Sequence, residues 1–151
     1  MAKPGQKQPG GFSEAEKEAM AQRSKELRAQ AKGERKRQRG EEALREIIAS
    51  MPESDRQLAQ RIHGIVIGEA PQLWPKTWYG MPAYANDEDQ VICFFQGAEK
   101  FESRYATFGF NDAATLDAGS VWPVAFAVKE ITDREEGLFR SLVRKAVGAD
   151  G

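Results

Sequence analysis

At 151 residues, with a formal net charge of −1 and a pI of about 6.0, the chain has the length of one ordinary domain and enough material to bury a core unaided. Cys93 is the sole cysteine, which excludes an intramolecular disulfide and a thiolate metal cluster within one chain, and no apolar run approaches membrane-spanning length. The charge is unevenly divided: residues 1–50 carry 12 Lys and Arg against 8 Asp and Glu, residues 51–151 carry 10 against 15, and every Trp and Tyr lies in the second stretch, which therefore holds the core-forming material.

Residues 1–12 are rich in Gly, Pro, Lys and Gln and read as a disordered tail, since they hold too little apolar surface to offset the ordering of their backbone. Their charge is not followed by the apolar stretch of a secretory signal, so a cytoplasmic setting is expected. Residues 13–40 read as a charged helix and a basic linker. Ser13 and Glu16 form a capping-box pattern that opens a helix to about Ala31, with Met20 and Leu27 as its only sizeable apolar side chains. From Lys32 to Arg39 five of eight residues are basic, with Gly33 inside the run and Gly40 closing it. Clustered cations gain from counterion release on phosphate. No aromatic is interleaved for base stacking and the pI lacks a basic footprint, so a solvated linker is preferred over nucleic-acid contact through residues 32–39.

Leu44, Ile47, Ile48 and Met51 recur at helical spacing from about Glu41 until Pro52. A second capping pattern, Ser54 with Gln57, opens a helix whose stripe is Leu58, Ile62, Ile65 and Val66; Gly64 within it suggests a close backbone approach, and Pro71 ends it. Strands follow. The first runs from about Lys76 to Ala85, and Pro82 within it points to an edge strand or a bulge. After a polar turn from Asn86 to Asp89, residues 90–96 are apolar on both faces and predict a central strand. Further strands are expected at residues 101–110 and 124–130. A third capping pattern, Thr132 with Glu135, starts a helix with Leu138, Phe139, Leu142, Val143 and Ala146 along one stripe. Helices, then strands, then a helix indicate an α+β fold, an antiparallel sheet of four or five strands packed against helices, with an N-terminal charged helical extension.

The candidate site centres on Trp78 and Tyr84, which share a face if the strand is regular, with Gly80 leaving room between them. Period two likewise sets Lys100 and Arg104 on one face of the next strand and Phe101 and Tyr105 on the other. Together with Tyr79, Met81 and Trp122, these residues suggest an aromatic pocket with a cationic rim, suited to a small anionic aromatic compound. The bland alternatives are sheet core and a surface ion-pair ladder. Asp87, Glu88 and Asp89 are the obvious oxygen ligands for a hard cation, set against an ordinary polar turn. His63 stands alone on its helix and reads as a satisfied or surface histidine. Cys93, between Ile92 and Phe94, reads as an inert core thiol. No phosphate-cradling glycine loop or serine nucleophile pattern occurs, so no catalytic constellation supports an enzyme.

The run from Trp78 through Tyr79, Gly80, Met81, Pro82, Ala83 and Tyr84 to Ala85, then residues 100–105, then residues 108–112, then Trp122 and Pro123, resembles in that order the YdhG-like family. These are small bacterial α+β proteins, catalogued mostly as a domain of unknown function. The resemblance covers residues 41–148. Some members are described as frataxin-like intracellular iron chaperones, so the resemblance implies iron handling; small-ligand binding rests on the aromatic and cationic residues above. The extension before residue 41 departs from the shorter members, and its role is not carried over. An enzyme acting on a small anionic aromatic compound through Trp78 and Tyr84 is the alternative from another class.

Overall fold

The computed structural model describes residues 12–148. Its elements run α1 (Glu14–Ala49), α2 (Glu53–Glu69), β1 (Trp74–Trp78), β2 (Met81–Ala85), β3 (Val91–Gln96), β4 (Ala106–Phe110), β5 (Ala125–Val128) and α3 (Asp133–Ala146). The five strands form one antiparallel sheet in chain order, so the fold is α+β and β3 is its central strand, as its two-sided apolar sequence requires. The expected N-terminal tail lies, apart from Phe12, outside the described residues.

The chain divides into two units between Lys36 and Arg37. In the first, Ser13 and Glu16 close the expected capping box, each backbone N–H donating to the other's side chain at 2.9 and 3.1 Å. Met20 and Leu27 are exposed, as a helix with so few apolar positions should leave them.

Helical structure runs unbroken through residues 32–40, where composition predicts a basic linker. Two residues of the second unit explain why the helix does not stop. Arg37 donates to the carbonyl oxygens of Pro71, Gln72 and Leu73 at 3.2, 2.9 and 2.8 Å, and its guanidinium lies 4.9 Å from the Trp74 ring centroid. Gly40 sits where a Cβ would overlap the Pro75 carbonyl, so it is a point of close approach rather than a helix stop. The reverse holds at Gly64, where sequence suggests such an approach and an added Cβ would meet nothing within 4 Å.

The predicted stripes of the second unit bury in large part: Ile47, Leu58 and Leu142 are only partly covered, and Leu138, expected on the α3 stripe, is 50% exposed. Leu44, Ile48 and Met51, then Ile62, Ile65 and Val66 from α2, and Phe139, Val143 and Ala146 from α3 share a core with Tyr84, Cys93, Phe95, Phe108 and Phe110 of the sheet. Phe139 meets Phe108 edge-on at 4.9 Å. Each such side chain contributes about 1.5–3 kcal/mol by leaving water. Burial also pushes the Cys93 thiol well above its usual range and makes it unreactive, as expected. Glu69 accepts from Arg140 and Arg144 at 2.9 and 2.7 Å, and Glu136 from Arg61 at 2.8 Å, which clamps α2 to α3.

Candidate functional site

The stretch expected as one strand from Lys76 to Ala85 is a hairpin. β1 and β2 pair antiparallel from Trp74 with Ala85 to Trp78 with Met81, leaving Tyr79 and Gly80 as a two-residue turn. Both have positive φ, +50° and +76°, the pattern of a hairpin turn whose twist matches its strands. Such turns favour Asn-Gly because the left-handed region costs an ordinary side chain about 1–2 kcal/mol. Tyrosine in that place is why local sequence reads straight through it. Pro82 consequently lies on neither sheet edge: β2 sits between β1 and β3, the β2–β3 pairing begins at Ala83, and the irregularity falls at Tyr84 and Ala85.

The hairpin separates the two residues expected to share a face. Tyr84 is fully buried and belongs to the helix-side core, where its phenol lies 2.9 Å from Nδ1 of His63. Burial raises its pKa well above the ordinary phenol value, with Cys93 and Glu41 adding to the effect. Trp78 instead packs on Phe94, ring centroids 5.3 Å apart. Phe94 pairs with Ala83 and Gly109 across the sheet, and its ring lies on Gly109 so closely that a Cβ there would overlap it. Trp78, Met81, Ala83 and Phe94 are absent from the helix-side core, which follows from the alternation of the strands.

The outer face of the sheet therefore carries an aromatic shelf. Tyr79, 81% exposed, sets its ring edge-on to Trp78 at 5.0 Å, and Phe94 continues the row. Beyond Gly109 the same cross-strand row ends at Ala125, which is exposed, as is Ala127 two residues on, so small side chains leave the floor low. Of the two residues expected as a cationic rim, Lys100 lies beside the turn, its ammonium donating to the Gly80 carbonyl at 2.7 Å.

Arg104 does not join that rim through a strand. Residues 97–104 form a turn, and β4 begins only at Ala106. Arg104 stacks on Tyr105 at 5.2 Å, while Trp122 packs half-buried against the helix-side core. The turn is shaped by a residue that sequence reasoning passes over. The Ser54 pattern forms no side-chain cap, because α2 starts at Glu53 with Pro52 as its N-cap. Asp55, 1% exposed, turns outward from the helix and accepts from the backbone N–H groups of Ala98, Glu99 and Lys100 at 3.0, 3.1 and 3.2 Å. Asp55 thus positions Lys100. A glycine directly before three amides was the only signal available: a Cβ at Gly97 would come 2.5 Å from Oδ2 of Asp55.

Asp87, Glu88 and Asp89 occupy the β2–β3 turn, where Asn86 Oδ1 accepts from the N–H groups of Glu88 and Gln90 and Lys76 pairs with Asp89 at 3.1 Å. No group of three His, Cys, Asp or Glu side chains able to hold a metal ion occurs among the described residues. His63 is satisfied by Tyr84, and burial and the charge of Arg45 lower its pKa, partly opposed by Glu41.

No protein-family model, curated protein or solved structure matches the chain. No helix among the described residues is long and apolar enough to cross a membrane.

Proposed function

We propose that the chain is a non-catalytic binding protein that takes small aromatic carboxylates or phosphates on the shelf formed by Tyr79, Trp78 and Phe94. The observation that carries this reading is Tyr79. A large aromatic ring stands almost wholly in solvent on a backbone conformation that disfavours it, and strain of that kind collects at functional positions. Aromatic faces bind planar ligands, and the Lys100 ammonium beside the turn suits an anionic substituent. Iron handling, which the resemblance to YdhG-like proteins implies, draws no support from the Asp87, Glu88 and Asp89 turn. The enzyme alternative loses its pocket, because Trp78 and Tyr84 lie on opposite faces of the sheet. The nucleic-acid alternative is weakened too, since Arg37 is committed to the carbonyls of residues 71–73.

The test is fluorescence of a variant carrying Trp74→Phe and Trp122→Phe, which leaves Trp78 as its only emitter. Titration with a set of small aromatic carboxylates and phosphates should quench it saturably. The response should vanish in Tyr79→Asn, and absence of quenching across the set removes the proposal.

A further inference from the structure

Between the end of α1 and the first half of α2 a cleft of about 450 Å³ is lined by Arg45, Ile48, Ala49, Arg56, Gln60 and His63. Its polar side chains are two guanidinium groups, an amide and an imidazole, each able to donate, with no carboxylate among them. From this convergence we propose that the cleft binds an oxyanion of the phosphate class, held by the two guanidinium groups, the Gln60 amide and the His63 ring.

Both arginines already have partners: Arg56 donates to the Met51 carbonyl at 3.2 Å, and each arginine also holds an ion pair of the kind an anion displaces. Arg45 bonds Glu41 at 2.6 Å and Arg56 bonds Glu53 at 3.3 Å, each one helical turn apart on the same helix with an exposed side chain in the pair. Pairs of that type hold weakly. A planar guanidinium fork offers an oxyanion two parallel bonds instead. The imidazole is oriented from behind: Tyr84 occupies Nδ1. With that phenol as donor, Nε2 carries the ring proton and is the nitrogen left for a ligand. Ile48 and Ala49 give the cleft an apolar wall, and its volume admits a small organic group beside the anion.

A bound dianion acts on the ring against its present surroundings. The groups facing His63 and its partner are Arg45, Glu41, Tyr84 and Cys93. Negative charge in the cleft reverses the influence of Arg45 and raises the lowered imidazole pKa.

The experiment is titration of isotopically labelled full-length protein with inorganic phosphate and with pyrophosphate, following the Arg Nε–Hε and His63 ring resonances, with sodium chloride at matched ionic strength as control. The site predicts saturable shifts at Arg45, Arg56 and His63 with a dissociation constant of about 1 mM or tighter, together with an upward shift of the His63 titration. The response should be lost in Arg45→Gln with Arg56→Gln, reduced in His63→Gln and retained in Lys129→Ala, which alters an exposed lysine outside the cleft, with thermal melting verifying that each variant folds. Shifts that sodium chloride reproduces, that fail to saturate, or that survive the double arginine variant overturn the proposal. Because the Trp78 shelf contains none of these residues, either site can fail without the other.

Discussion

Asp55 and Gly97 form one structural unit although 42 positions apart, since the space a Cβ would need at Gly97 is taken by the Asp55 carboxylate, 2.5 Å away. Asp55→Ala leaves three inward-facing backbone N–H groups without their acceptor, and a buried hydrogen bond to a charged group is worth about 1.5–3 kcal/mol. Gly97→Ala forces that carboxylate to move. Urea denaturation should show each variant destabilised by about 2–4 kcal/mol. The double variant should lose less than the sum, because the two substitutions break the same contact.

The two helical glycines should respond in opposite directions. In a helix interior alanine is worth about 1 kcal/mol more than glycine. Gly64→Ala meets open space and should raise stability by about that amount. Gly40→Ala drives a methyl group into the Pro75 carbonyl and should lower stability despite the gain in propensity. Thermal melts of the pair check both signs.

Stability should fall with pH in two separate windows. His63 has a lowered folded pKa, so between that value and its ordinary 6.5 the unfolded chain binds the extra proton and acid favours unfolding. The melting temperature should therefore drop as pH decreases through about 6.5, and His63→Gln should flatten that part of the profile. Glu69 and Glu136 have folded pKa values lowered by hydrogen bonds, Glu69 from Arg144 and Arg140, Glu136 from Arg61 and Arg140. Their contribution is present above the ordinary carboxylate value of 4.5 and disappears only below it, so the acid limb should persist in His63→Gln.

Among the described residues, every buried residue lies at or after Leu44. A chain starting at Arg37 should accordingly keep the cooperative unfolding of the whole, with a melting temperature within about 4 °C of it. Loss of cooperative melting in that truncation would show that residues 1–36 are needed for the fold.

Local pattern was a sound guide wherever one element's own side chains decided its structure. The capping pairs Ser13 with Glu16 and Thr132 with Glu135 rest on contacts three residues apart, and the Leu44-to-Met51 stripe and the two-sided apolar run of residues 90–96 are patterns each element carries in its own sequence. It failed where distant contacts decide. Gly40 is held in a helix beside Pro75 and Asp55 binds residues 98–100, while Tyr79 is a local exception, a tyrosine in a turn position that favours asparagine. The misread turn then propagated, because treating residues 76–85 as one strand assigns Trp78 and Tyr84 to a single face. Phe94 reads in sequence as part of a two-sided apolar strand, because only the strand register brings it to Trp78. Lys100 reaches the Gly80 carbonyl from a turn, where strand alternation would set it on one face with Arg104.

Tyr79→Asn should separate stability from binding. It relieves the left-handed strain, so the hairpin and the protein should gain about 1 kcal/mol in urea denaturation. The Trp78 fluorescence response to aromatic anions should be lost in the same variant. A destabilised Tyr79→Asn protein would mean that the ring is held by packing the fold requires.

The most direct test of the aromatic shelf is a methyl NMR titration of the full chain with the aromatic anion that quenches Trp78 most strongly. Ring currents from a ligand stacked on Trp78 and Phe94 should shift the methyl groups of Met81, Ala83, Ala125 and Ala127 on the outer face. Those of Ile62, Ile65 and Val143 in the helix-side core should stay in place. Shifts confined to the core methyls, or to the cleft beside Ile48, would contradict the assignment of binding to this face.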